Sequence, residues 1–275
     1  MKRVNVDEPR TWEDYINSFV KLLPKVEPAR DPKEIFCDVC RIFSLSLRGI
    51  ATLDEKEKES IESQYMTFVE KYGKEGMEKV SVLFAYVIEA LEKRRCDFLG
   101  QIYERLNATV KAFAQFLTPL SVARLMAHVT FVDGKPEHGK IISMDDPACG
   151  AGALLIEAAE AFIESGGRQG DLFIHGEDLD ATACCISYVQ FTLLGYPAVV
   201  RRMDTLAMKV MEGPWYTIGY FAHGMPMRLI AEHMDKKDET EVEGTLEEVV
   251  KKEAEPTEPD KPINVRELVQ GEFEF

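Results

Sequence analysis

The stretch "SMDDPACGAGALLIEAAEAF", residues 143–162, decides the fold. It continues a short apolar strand begun by "IISM" (141–144) and turns through glycines at 146–152. A helical pattern follows over 153–165, with Leu154, Leu155, Ile156, Ala158, Ala159, Phe162 and Ile163, closed by Gly166-Gly167. Beyond it, "DLFIHGEDLD" reads as a second strand ending in acids. Asp180 then caps a helix over 181–194 that stops at Gly195, and "AVVRRMD" is a third strand. Strand, helix, strand, helix, strand at this spacing predicts an α/β fold, a parallel sheet with covering helices.

Working outward, residues 1–112 predict an all-helical N-terminal domain. Apolar residues recur at three and four spacing over 12–23, 33–47, 57–72 and 77–91, and "CDFLGQIYERLNATVKAFAQF" continues as helix. "FLTPLSVARLMAHV" opens a further helix, with Thr118 as N-cap and Pro119 at its first position. The α/β part is expected over 113–232, truncated relative to a full sheet, with another helix from Pro226. Residues 233–275 read as an acidic, solvated tail.

The 275 residues carry a net charge of −15, and Glu232 to Asp260 alone hold 12 acids against 4 lysines. The tail is over half of the imbalance, and what remains still argues against tight, autonomous grip on phosphates. "EKRRCDF" (92–98) is the one dense basic cluster. No apolar run approaches membrane-spanning length, and "MKRVNVDEPRTWEDY" lacks the apolar core of a signal peptide, so a cytoplasmic protein is expected. The six cysteines, at 37, 40, 96, 149, 184 and 185, suit reduced thiols. Cys37 and Cys40 lack a second pair at metal spacing and fit core packing, so no metal is expected. His175, inside a strand, reads as a hydrogen-bonded core histidine.

A strand feeding a glycine turn feeding a helix offers backbone N–H groups and close approach to a ligand. The pattern here is D-P-A-C-G-x-G, not the dinucleotide form. Asp146 repels a pyrophosphate but suits an ammonium group. Asp178 or Asp180 suits two ribose hydroxyls, and Asp204 suits an exocyclic amine. Together these features fit S-adenosylmethionine.

"FLTPLSVARLM", "DPACGAGALLIEA", "HGEDLDATACCISYVQFTLLG" and "RRMDTL" resemble, in order and spacing over about 113–206, the cofactor motifs of adenine-N6 DNA methyltransferases. The nearest likeness is to methylation subunits of type I restriction–modification systems. That resemblance implies a SAM-dependent methyltransferase (Rossmann-like) sheet, S-adenosylmethionine as cofactor, DNA as substrate and a specificity or other partner subunit. It implies that Thr118 and Pro119 border the methionine end of the cofactor. By the same resemblance Asp146, Pro147, Ala148, Cys149, Gly150 and Gly152 wrap the methionine moiety. Asp178, with Leu179, holds the ribose, and the element beginning at Asp204 lies by the adenine.

The same family uses a tetrapeptide Asn/Asp/Ser-Pro-Pro-aromatic after a fourth strand, and the sequence contains none. The nearest candidate is Gly213-Pro214-Trp215-Tyr216, with glycine where the acceptor should stand. Either it is a degenerate remnant behind "MKVM" as a shortened fourth strand, or the likeness is chance. The functional expectations are therefore adenine methylation in DNA, a catalytically inactive SAM-binding regulatory or assembly subunit, or an acidic interaction protein of a mobile element.

Overall fold

The computed structural model describes residues 11–107, 136–232 and 234, together with 122, 125 and 126. Thr118, Pro119, the expected boundary at 112/113 and nearly all of the acidic tail lie outside the described residues. Two units are distinguished, residues 1–223 and 224–275; in the second, residues 225–232 are helical.

In the first unit, among the described residues, the helices α1 (Trp12–Leu22), α2 (Pro32–Ala51), α3 (Glu55–Lys93) and α4 (Leu99–Asn107) precede the sheet. Their starts follow local chemistry. Thr11 and Asp14 form a reciprocal capping box, Asp31 caps α2 ahead of Pro32, and Asp54 accepts from Lys56 N and Glu57 N. The two apolar runs at 57–72 and 77–91 form two helical segments of α3 that meet at a kink, where Gly73 leaves helical geometry with φ 61°.

The α/β part comprises β1 (Ile142–Asp146), α5 (Ala153–Glu164), β2 (Leu172–Asp178), α6 (Ala181–Leu193), β3 (Ala198–Asp204), β4 (Lys209–Tyr216) and the short α7 (Ile218–Ala222). The sheet order is β1-β2-β3-β4. The first three strands are parallel, with Asp146 opposite Gly176 and Asp178 opposite Arg202. The expected β-α-β-α-β run is therefore present.

Helix α6 explains why the helical segment and the sheet share one core. Its ten residues from Ala183 to Thr192 are all buried, and "ATACCISYVQFTL" carries no charge. A helix without a polar face needs cover on all sides. The sheet covers one side, and α2 and α4 cover the other. Phe19, Phe36, Cys40 and Phe98 from the helical segment join Ile174, Ile186, Phe191 and Val200 in a single apolar cluster. Two arginines of the "EKRRCDF" cluster engage neighbouring residues, while Glu92, Lys93 and Arg94 stay exposed. Arg95 binds Glu160, Gln169 and the Leu194 carbonyl, and Arg94 lies over the Trp12 ring. No helix among the described residues is long and apolar enough to cross a membrane.

A fourth strand does lie at "MKVM", but it is longer than the shortened strand expected and runs on through the tetrapeptide. β4 is antiparallel to β3, as the return arm of a hairpin whose Lys209 faces Asp204. Gly213, Pro214, Trp215 and Tyr216 lie within β4, not beyond it. The proline is compatible with an outer strand. Trp215 is 3% exposed, with the Arg48 guanidinium 4.4 Å above its ring and Tyr188 edge-on at 6.1 Å. Burial beside Arg41 pulls the Arg48 pKa down from its ordinary value. Glu212, next to the tetrapeptide, bridges Arg41 at 2.8 Å and Arg202 at 3.0 Å. Burial opposes its charge, yet these two cations hold its carboxyl below the ordinary range.

The tetrapeptide thus fastens α2 to the sheet. We expect Trp215→Ala to lower the unfolding free energy by about 3–5 kcal/mol, as for other buried aromatic deletions. Urea titration followed by circular dichroism checks this; a loss below about 1 kcal/mol would contradict the packing role.

Candidate functional site

Asp146 ends β1 and organises the turn behind it. Its Oδ1 accepts from Ala148 N at 3.0 Å, a side-chain turn that leaves Pro147 and Ala148 exposed. Cys149 N then donates to Glu177 O at 2.8 Å, so the turn is bonded to the end of β2. Gly152 N donates to Cys149 O at 2.8 Å, and Ile156 N to Gly152 O at 2.9 Å begins α5. Gly152 has φ 85°, and a Cβ there would meet the Phe191 ring at 2.7 Å. Both the left-handed backbone and the aromatic neighbour demand glycine. The Cys149 thiol is buried, and burial raises its pKa well above the ordinary value. It contributes backbone here, not a nucleophile.

Asp178 locks this turn from the neighbouring strand. Its Oδ2 accepts from Gly150 N at 2.8 Å, and its Oδ1 accepts from Asp180 N at 2.8 Å. Each carboxylate oxygen keeps a second lone pair for an incoming hydroxyl. Asp180 is the cap of α6, accepting from Ala183 N at 2.7 Å, which leaves Asp178 as the acid facing the turn. Asp204 ends β3 and accepts from Ala207 N at 2.9 Å at the head of the hairpin.

The register makes a stair of these three acids. Asp178 lies two residues beyond the partner of Asp146, and Asp204 two beyond the partner of Asp178. Each step is about 7 Å along the strands and about 4.8 Å across them. Leu179, 56% exposed, and Leu206, 98% exposed, supply apolar surface beside the upper steps. Such a stair can receive an extended ligand with a cationic head, paired hydroxyls and an amine.

Other sequence candidates fall elsewhere. The Gly213–Tyr216 stretch is three strand spacings from β1, about 14 Å. Trp215 also pairs with Val200, four residues short of the strand end bearing Asp204. His175 Nδ1 sits 3.0 Å from Asp145 on the adjacent strand, and burial lowers the histidine to about 4 despite that carboxylate. Cys40 is buried in the core, where burial raises its thiol well above the ordinary value. Among the described residues, no group of three or more His, Cys, Asp or Glu is placed to hold a metal ion. One contact escaped the sequence reading: Gln190 Nε2 donates to Ala151 O at 3.0 Å. Its signal was a lone amide inside the uncharged helix α6.

Residues 94–216, which contain this entire stair and turn, match the family described as N-6 DNA Methylase. That segment, somewhat under half of the chain, is similar to the adenine-N6 DNA methyltransferases. It is similar to the Type I restriction enzyme MjaIX methylase subunit of Methanocaldococcus jannaschii, 28% identical over 127 residues. That match covers 44% of this chain and 22% of the relative, so only about a fifth of the relative is represented. A solved type I restriction-modification system methyltransferase subunit from Streptococcus thermophilus is also similar. It is 15% identical over 72% of this chain and 59% of its own, with a TM-score of 0.40.

Gly152→Ala tests the turn. The left-handed conformation costs a side chain about 1–2 kcal/mol, and the Phe191 ring must also shift. We expect a loss of about 2–3 kcal/mol in chemical denaturation; an unchanged midpoint would contradict the described packing.

Proposed function

We propose that this chain binds S-adenosylmethionine on the 146–152 turn and serves methyl transfer to the N6 amine of adenine in DNA. The stair of Asp146, Asp178 and Asp204 around a glycine turn carries this reading. Asp146 receives the ammonium group of the methionine moiety, beside Pro147, Ala148, Cys149, Gly150 and Gly152. Asp178 receives the ribose hydroxyls, with Leu179 and Leu206 against the adenine and Asp204 accepting from its exocyclic amine. A carboxylate already fixed by two backbone N–H groups loses little freedom when the hydroxyls arrive.

The reacting adenine amine needs an acceptor as its nitrogen becomes tetrahedral. β4 runs along the far side of the sheet, so Gly213–Tyr216 does not fill that role in this reading. With a net charge of −15, the chain acts on DNA together with a partner subunit that supplies most of the phosphate contacts. We assign the reaction to the cytoplasm, in keeping with six cysteines that suit reduced thiols.

The decisive measurement is calorimetric titration with two ligands. Asp146→Asn keeps an acceptor for Ala148 N but removes the charge that faces the ammonium group. We expect S-adenosylmethionine to bind the wild type and to bind this variant roughly tenfold or more weakly, the scale of one charge-assisted hydrogen bond. Methylthioadenosine, which lacks the amino acid, should bind both proteins equally. No binding to the wild type, or an equal loss for both ligands, would overturn the assignment.

A further inference from the structure

The inner side of the glycine turn is held by a buried polar junction that touches none of the three acids of the stair. Gln190, fully buried in α6, uses every hydrogen-bonding function of its amide. Its Oε1 accepts from Phe98 N at 2.7 Å and Leu99 N at 3.0 Å, where α4 begins. Its Nε2 donates to Asp97 Oδ1 at 2.9 Å and to Ala151 O at 3.0 Å. Two acceptor sites and two donors are the whole inventory of a side-chain amide, so its orientation has no alternative. Asp97 is buried too and also accepts from Gly100 N at 2.8 Å. Burial raises its carboxyl to about 6, against the lowering effect of the bonds from Gln190 and Gly100.

Packing repeats the polar message. A Cβ on Gly100 would lie 2.6 Å from Ala151 Cβ, so α4 approaches the turn as closely as backbone allows. The next residue of α6 after Gln190 is Phe191, whose ring closes over Gly152. Two adjacent side chains of one helix therefore set two adjacent residues of the turn, one by a hydrogen bond and one by contact.

We propose that Gln190, oriented by Asp97 and the first amides of α4, is a positioning residue for the cofactor turn. It fixes the Ala151 peptide, and through it the direction of the Gly150 and Gly152 amides, without touching the ligand. The helical segment thereby sets the shape of the site. This rests on the reading of the turn as the S-adenosylmethionine site, but its structural part can be measured without any ligand.

The test uses the full chain with Gln190→Ala and Gln190→Glu. Glu keeps the acceptor for Phe98 N and Leu99 N but turns an oxygen toward Asp97 and Ala151 O, where only a donor fits. Hydrogen exchange of the Gly150 and Gly152 amides is read in the absence of ligand, beside the Leu172–Asp178 strand amides as a control for global unfolding. S-adenosylmethionine affinity is read by calorimetry. We expect turn amides to exchange roughly tenfold or more faster than wild type, with β2 protection kept. Affinity should fall roughly tenfold or more in both variants. Adding Asp97→Asn to Gln190→Glu removes one of the two facing charges and should recover part of the loss. Turn exchange equal to wild type, or an increase spread evenly over β2, would overturn the positioning role. Faster turn exchange together with no ligand binding to the wild type would sustain the junction and reject the cofactor reading.

Discussion

The bond from Gly150 N to the Asp178 carboxylate is the constraint on which the α/β part depends. It joins the turn after β1 to the end of β2 at 2.8 Å, while the other oxygen of Asp178 holds the start of α6. One side chain thus fixes a strand end, a turn and a helix entry. The Cys149 N to Glu177 O bond sits directly beneath it and keeps the same two segments in register. The stair of acids itself follows from the register, in which β2 runs two residues past the partner of Asp146 and β3 two past the partner of Asp178.

Much of this was legible in the sequence. The third strand runs from Ala198 to Asp204 as read, α5 and α6 match their expected spans within a residue or so, and Asp180 caps α6. These segments carry strong local signals: β-branched runs, glycine stops and an aspartate at the cap. The kink at Gly73 was legible as a break between two apolar runs, although the helix resumes beyond it.

The return of β4 was not legible. Its sequence, KVMEGPWY, has no clean alternation, and its burial comes from Trp215 alone at the centre of a contact with α2. What places that strand is a tertiary arrangement in which Glu212 and Trp215 meet Arg41 and Arg48, more than 160 residues earlier in the chain. A short motif search sees a proline and an aromatic and proposes chemistry. The contacts show a fastening. Gln190 escaped for a related reason: an amide in a helix looks like surface until the helix is seen to have none.

The buried helix α6 bears on how such a chain can change over evolutionary time. Because both of its sides are occupied, residues 12–107 cannot be exchanged for an unrelated helical module without stripping one wall from the sheet. Insertions and replacements are then admissible at the rim, in the turn around Gly166 between α5 and β2, and inadmissible along the buried face of α2. Descendants of this architecture should diversify by their edges and inherit their middle intact.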